Sequence, residues 1–364
     1  MSSEDKNLGP LESLRAVAAL MIVVFHLVEM MKLPPPPGIS FISSHFGLGV
    51  PLFFTLSGFV LAYGYSERVG NRREILYFYS RRFFRIAPLF YLMLLLWCIV
   101  NAWIFKNDFS PQVILLNVFF LFGLIPGLHE GIVWASWSIG VEMLFYLIFP
   151  IVILIGAKIG SATIAWLLSL IVSAHIFSSY TDVGLNSFAY MNLGQQLPFF
   201  FSGILTFRIW QHFSFFRSEI ISLSFVALAI AAAAFMTLNE AAYISLWQIK
   251  FGRLEHNVWT IIFGVLILGS VCGRNRMISA KPLRNMGKVS FSIYLVHPLI
   301  MLGMMKLEFI DRLQALDLGP WPQFVVGLVV VVAIIWSISN VTYRVVESGG
   351  ESLGRRFTKR YFGS

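Results

Sequence analysis

Charge is what this 364-residue chain has least of: 12% of its residues are Asp, Glu, Lys or Arg, against 57% that are hydrophobic. So few charges cannot solvate the surface of a water-soluble globule, and so much apolar character excludes a disordered chain. Cysteine is nearly absent. Cys98 and Cys272 both fall inside apolar runs, supply neither a disulfide framework nor metal-ligand spacing, and read as inert packing residues. Acids are outnumbered, 18 against 27 Lys and Arg, but in such a chain the +9 net charge bears on membrane topology before any nucleic-acid partner. No repeat of fixed period and no mirrored pair of broken helices stands out, which argues against an inverted-repeat transporter. A cleavable signal is also missing, because the first apolar segment carries Glu12 and Arg15 in its opening turns and lacks a small-residue cleavage site.

Long apolar runs are what the chain has instead. Crossing the hydrocarbon takes roughly 20 residues of helix with all backbone groups bonded internally. Ten segments qualify: 11–31, 46–65, 86–105, 136–157, 161–178, 194–211, 219–238, 257–273, 288–306 and 322–344. The stretch 111–126 is apolar but short and bounded by Pro111 and Pro126, which predicts a re-entrant or interfacial helix. Ten spans with the N-terminus inside put most of the Lys and Arg in cytoplasmic loops, from Lys6 and the 68–85 cluster through Arg217, Arg274 and Arg276 to Arg360. Lys250 and Arg253 stay outside, and an eleventh span would invert every loop after residue 126. The expectation is an all-α polytopic membrane protein of ten transmembrane helices, both termini cytoplasmic, forming one domain over 1–364 with no appended soluble domain.

Ionisable groups inside a span need a partner or a job. Only His26 and His297 among the histidines, and Glu142 among the acids, lie well within spans, while Glu12, Glu29 and Glu347 sit at span ends within reach of the interface. His26 falls roughly 8 Å and Glu142 roughly 9 Å below the outer surface, so the two share a layer. A buried His beside a carboxylate suits general-base chemistry, the acid fixing the tautomer and stabilising imidazolium. A plain polar pair between helices is the structural alternative. Arg15 and His26 are eleven residues apart, which places both on one helix face about 16 Å apart along the axis. Arg15 there suits an anionic ligand arriving from inside, or alternatively pairs with Glu12 on the same helix. The run Arg81, Arg82, Phe83, Phe84, Arg85 forms a basic, aromatic collar that fits either anionic lipid headgroups or the phosphates of a cytoplasmic donor.

Five blocks in order carry a family resemblance. "LESLRAVAALMIVVFH" holds Arg15 and His26; "GLGVPLFFTLSGFVLAY" holds Ser57; "RRFFRIAPLFYL" holds Arg82 and Arg85; "WSIGVEMLFYLIFP" holds Trp137, Ser138 and Glu142; "FSIYLVHP" holds Tyr294 and His297. Together they resemble the acyltransferase 3 family of membrane-bound O-acyltransferases almost end to end. The resemblance implies transfer of an acyl group, most often acetyl from acetyl-CoA, to a hydroxyl of a carbohydrate such as an O-antigen or exopolysaccharide, at the inner membrane. It departs at Gly140 and Met143, where relatives more often carry polar or acidic residues, which bears on the acceptor's identity. Under this reading His26 and Glu142 are the catalytic pair, and Arg15, Arg82 and Arg85 hold the donor. Ser57, Trp137, Tyr294 and His297 line the substrate site. No metal is required. Expected partners are acyl-CoA, a carbohydrate or lipid-linked glycan acceptor and membrane lipids, with no nucleic acid. Two readings compete with acetyl transfer: an exporter of a glycolipid or small anion using His26 and Glu142 as a proton relay, and a succinyltransferase acting on a glucan.

Overall fold

Each apolar run closes into helix. The computed structural model describes residues 9–68, 70–213, 218–239, 254–273 and 279–363. Lys6, Arg217, Lys250, Arg253, Arg274 and Arg276, used in the charge assignment, lie outside the described residues. Ten main helices, labelled in chain order, are α1 (Gly9–Glu29), α2 (Gly49–Tyr65), α3 (Arg72–Val100), α4 (Trp137–Ile155), α5 (Ile159–Thr181), α6 (Leu193–His212), α7 (Glu219–Leu238), α8 (Leu254–Cys272), α9 (Ser290–Lys306) and α10 (Pro320–Thr342). No strand occurs among the described residues. Each of the ten expected segments coincides with one of these helices. Among the described residues, seven stretches are long and apolar enough to cross a membrane, with an eighth if the pair Lys281–Lys288 and α9, bent by 70° at Val289, is taken as one span. The His256–Cys272 part of α8 is short for a span, and α6 carries Gln195, Gln196 and Arg208 among its apolar residues. The 111–126 stretch does not span. It forms the eight-residue helix Pro111–Val118, capped by Ser110, then a 3-10 turn at Phe122–Leu124.

Local chemistry sets the ends of these helices. Asn71 opens α3, its side-chain oxygen accepting from the Glu74 N–H at 3.0 Å, and Asn192 opens α6 by accepting from the Gln195 N–H at 3.0 Å. Glycine sets the tightest packing. At α2 and α6, an added Cβ would stand 2.1 Å from the Phe200 carbonyl oxygen at Gly58 and 2.1 Å from that of Thr55 at Gly203, so the two backbones meet without side chains between them. Phenylalanine fills the adjoining core, with the Phe145 and Phe200 rings stacked at 3.8 Å and Phe54 on Phe200 at 4.7 Å. α4 runs antiparallel to α3, fastened where the Tyr79 hydroxyl donates to the Leu147 carbonyl at 2.8 Å.

The segment between α3 and α4 folds back onto α3. The Tyr91 hydroxyl donates to the Val118 carbonyl at 2.8 Å, and the Phe120 ring lies 4.6 Å from that of Phe90. Asn117 pins the return limb by accepting from the Ile132 N–H at 2.9 Å. These contacts bring residues 130–135 over the end of α1.

Candidate active site

Three cavities follow one another along the bundle. The one at the His26 end, called the outer cavity after the sidedness expected from sequence, is about 570 Å³ and is lined by His26 from α1, Trp134 and Ala135 from the loop before α4, Trp137, Tyr190 and Tyr294. A narrower space of about 50 Å³ adjoins it, sharing Val50 and Tyr294, and holds Arg15, Ser57 and Glu142. The third, about 20 Å³, is walled by Arg15, Arg82, Arg85, Glu142 and Tyr146. Eight of the nine predicted site residues thus line three contiguous spaces. The ninth, His297, is fully buried behind His26.

His26 and His297 are directly bonded, Nδ1 of the first to Nε2 of the second at 2.8 Å, with the rings stacked at 5.0 Å between centroids. Which nitrogen carries which proton follows from the chain of partners. A carbonyl can only accept, so His297 Nδ1, 3.2 Å from the Ile293 carbonyl, is the protonated nitrogen. In a neutral ring its Nε2 is then an acceptor, and His26 Nδ1–H donates to it. His26 Nε2 keeps its lone pair, with no hydrogen-bond partner among the described residues, in a ring that borders the outer cavity. The Trp134 ring, 4.9 Å away, packs on the imidazole.

The expected contact between His26 and Glu142 is not made. Glu142 Oε1 accepts from the Ser57 hydroxyl at 3.1 Å and from the Tyr146 hydroxyl at 2.5 Å, and faces the arginine side of the bundle. Depth along the axis was a fair guide to neither residue's partner, because the direction in which each helix face points decides it. Tyr146, one turn after Glu142 on α4, was legible from that spacing. Glu347 also differs from expectation: it is 1% exposed and accepts from the Ser292 hydroxyl at 2.8 Å instead of reaching the interface.

Arg15 donates from Nε to Ser290 Oγ at 3.4 Å. Arg82 donates to the Tyr65 hydroxyl at 3.3 Å, and its guanidinium stacks 5.3 Å from the Tyr65 ring centroid and 5.8 Å from that of Tyr146. Its Nε is buried without a hydrogen-bond partner among the described residues. Arg85 makes no hydrogen bond or ion pair among the described residues. Three guanidinium groups with spare donors around one space have the charge and donor geometry that suit an anion with several oxygens.

At the outer cavity, the Tyr294 hydroxyl donates to the Ala135 carbonyl at 2.7 Å and accepts from the Ser138 hydroxyl at 2.7 Å. That bond helps hold Ala135 at φ 65°, a left-handed conformation costly for a residue with a Cβ. Trp137 starts α4, its ring 5.5 Å from Tyr190. His129 lies just outside, accepting at Nδ1 from the Gly127 N–H at 3.2 Å and donating from Nε2 to Ser187 at 3.1 Å, and burial lowers its pKa. Trp134, Glu130, Asn186, Ser187 and Tyr190 were not singled out from sequence, since they come from connecting segments, the short helix Asn186–Tyr190 among them, without recognisable spacing. Among the described residues, no three His, Cys, Asp or Glu side chains cluster as metal ligands.

A family model described as an acyltransferase domain, acyltransferase 3, matches residues 10–340. The chain is 24% identical over 306 residues to a putative acetyltransferase, ORF330, of Acidianus two-tailed virus, covering 81% of this chain and 84% of that one. It is also 24% identical over 325 residues to the O-acetyltransferase OatA of Staphylococcus aureus, covering 80% of this chain and 50% of the relative, so it spans about half the length of that protein. An uncharacterized protein of Haemophilus influenzae is 33% identical over 120 residues, 29% of this chain and 49% of the relative. No solved structure matches. The match to the family model over most of the chain places this protein in the acyltransferase 3 family, as an acyltransferase.

Proposed function

We propose that this protein is a membrane O-acyltransferase that moves an acetyl group from acetyl-CoA, bound from the cytoplasm, to a hydroxyl of a cell-surface carbohydrate or lipid-linked glycan held in the outer cavity. In this reading the chain crosses the inner membrane ten times with both termini cytoplasmic, so the arginine space faces the donor side and His26 the acceptor side. The observation that carries it is the His26–His297 bond, which leaves the outer imidazole with a free Nε2 lone pair at a cavity roomy enough for a sugar. As the acceptor oxygen attacks the thioester carbonyl carbon, its proton passes to His26 Nε2. The C–S bond breaks, and the proton goes on to the departing thiolate. His297 stabilises the transient imidazolium by accepting from His26 Nδ1–H.

Arg82, Arg85 and Arg15 hold the donor phosphates, and Glu142 with Ser57 sits between them and the reacting centre. Trp137 and Tyr294 shape the acceptor side, where aromatic faces favour a sugar ring. The middle space is small, so an arm reaching from Arg15 to His26 displaces side chains such as Phe53 and Phe54 as it passes.

Release of CoA thiol from acetyl-CoA by the purified protein tests the reading. His26→Ala should lower turnover roughly 100- to 10,000-fold. A protein that leaves the thioester intact yet moves solute across vesicles would be a transporter and would refute it.

A further inference from the structure

The family match ends at residue 340, yet the chain beyond it packs against α3, the helix that carries Arg82 and Arg85. After α10 the chain makes a π-helical turn, Tyr343–Glu347, and continues as the helix Ser348–Phe362. That helix lies directly on the backbone of α3. An added Cβ at Gly350 would stand 2.8 Å from the Phe84 carbonyl oxygen and 2.6 Å from Pro88, and one at Gly354 would stand 2.7 Å from the Phe84 Cβ. The two glycines, one turn apart, form a seam against the turn of α3 that carries Arg85. Glu347 is the residue one turn before Gly350, and the π turn rotates it inward to 1% exposure.

Its carboxylate accepts from Ser292. Two residues earlier on α9, Ser290 accepts from Arg15. The first turn of α9 therefore ties both Arg15 and the buried carboxylate to one rigid element. Ring-walled Arg82, Arg15 and unbonded Arg85 give the inner space three positive charges, and Glu142 is the one carboxylate lining it. Like charges in so dry a place repel strongly, and a buried acid without a full counter-charge is equally costly.

We propose that Glu347 is a positioning residue: the carboxylate behind the arginine space that keeps Arg85, with Arg15, turned toward a phosphorylated donor. It rests on the donor-site reading above. Without that counter-charge, repulsion among the guanidinium groups turns Arg85 away and the donor binds more weakly, while chemistry at His26 is untouched.

The test is calorimetric titration of CoA into the purified full chain, beside steady-state kinetics with acetyl-CoA and a thermal melt of each variant. Glu347→Gln should weaken CoA binding roughly tenfold and raise the donor KM alike, with kcat at saturating donor held within about twofold. Glu347→Asp should restore most of the affinity, and Ser292→Ala, which only frees the carboxylate, should shift it in the same direction by less. A residue that merely supports the fold would lower the melting temperature and leave the affinity of the folded protein unchanged. Unchanged or tighter CoA binding in Glu347→Gln, or an Asp variant no better than Gln, would overturn the inference while leaving the donor site standing. Wild-type protein that binds no CoA would overturn both.

Discussion

Replacing His297 with leucine separates the two histidines' roles. The side chain is fully buried, and leucine fills a similar space without a hydrogen-bonding group. His26 then loses the acceptor 2.8 Å from its Nδ1. Two consequences follow. The tautomer with the proton on Nδ1 is no longer selected, so rings that present Nε2–H to the acceptor accumulate and cannot act as base. In addition, imidazolium loses a hydrogen bond to a charged group, worth roughly 1.5 to 3 kcal/mol. At about 1.36 kcal/mol per decade of rate, the lost bond alone should lower kcat roughly 13- to 160-fold, and the tautomer loss lowers it further. The donor KM should not change, because Arg15, Arg82 and Arg85 line a different space. His297→Gln keeps an acceptor within reach of Nδ1 and should lose less. The assay is acetyl-CoA turnover with a thermal melt as control for folding. A Leu variant that melts like wild type and keeps kcat within twofold would refute the relay between the rings.

Further outcomes follow from other parts of the molecule. Glu142→Gln retains acceptors for Ser57 and Tyr146 but removes a charge among the arginines, so the donor KM should rise roughly tenfold with kcat little changed; a loss of kcat as deep as in His26→Ala would restore the carboxylate–imidazole partnership. Gly203→Ala forces a Cβ to 2.1 Å from the Thr55 carbonyl, costing roughly 1 to 3 kcal/mol, and an unshifted thermal melt would contradict the tight α2–α6 seam. Burial lowers the His129 pKa, so the folded state takes up its proton less readily than the unfolded chain. Its contribution to stability is present above the unfolded value near 6.5 and is lost as pH falls through the folded one. Protection of residues 119–136 against hydrogen exchange, taken relative to the intrinsic rate at each pH, should accordingly fall at acid pH in wild type and much less in His129→Asn.

Helix placement was legible because each of the ten apolar runs is long and closed by loops, and because Arg15 and His26 share a face by spacing alone. The five motif blocks also converge, as their residues line adjoining cavities. Partner choice was not legible. Equal depth for His26 and Glu142 said nothing of azimuth, and α4 turns Glu142 toward Ser57 while α9 presents His297 to His26. Pro298 follows His297 and lacks an N–H, which leaves the Tyr294 carbonyl without its helical donor beside the Ile293 carbonyl that the His297 ring bonds. Glu347 escaped for a different reason: a π turn breaks the 3.6-residue period on which facing is judged. The outer cavity's loop residues, Trp134 and Tyr190 among them, are assembled by contacts distant in sequence.

Sidedness tests the central claim most directly. Proteoliposomes of fixed orientation, loaded with radiolabelled acetyl-CoA on the side of the arginine space and given a carbohydrate acceptor on the side of the His26 cavity, should form labelled ester on the acceptor, and His26→Ala vesicles should form none. Label transferred only when donor and acceptor share one side, or transfer undiminished in His26→Ala, would contradict it.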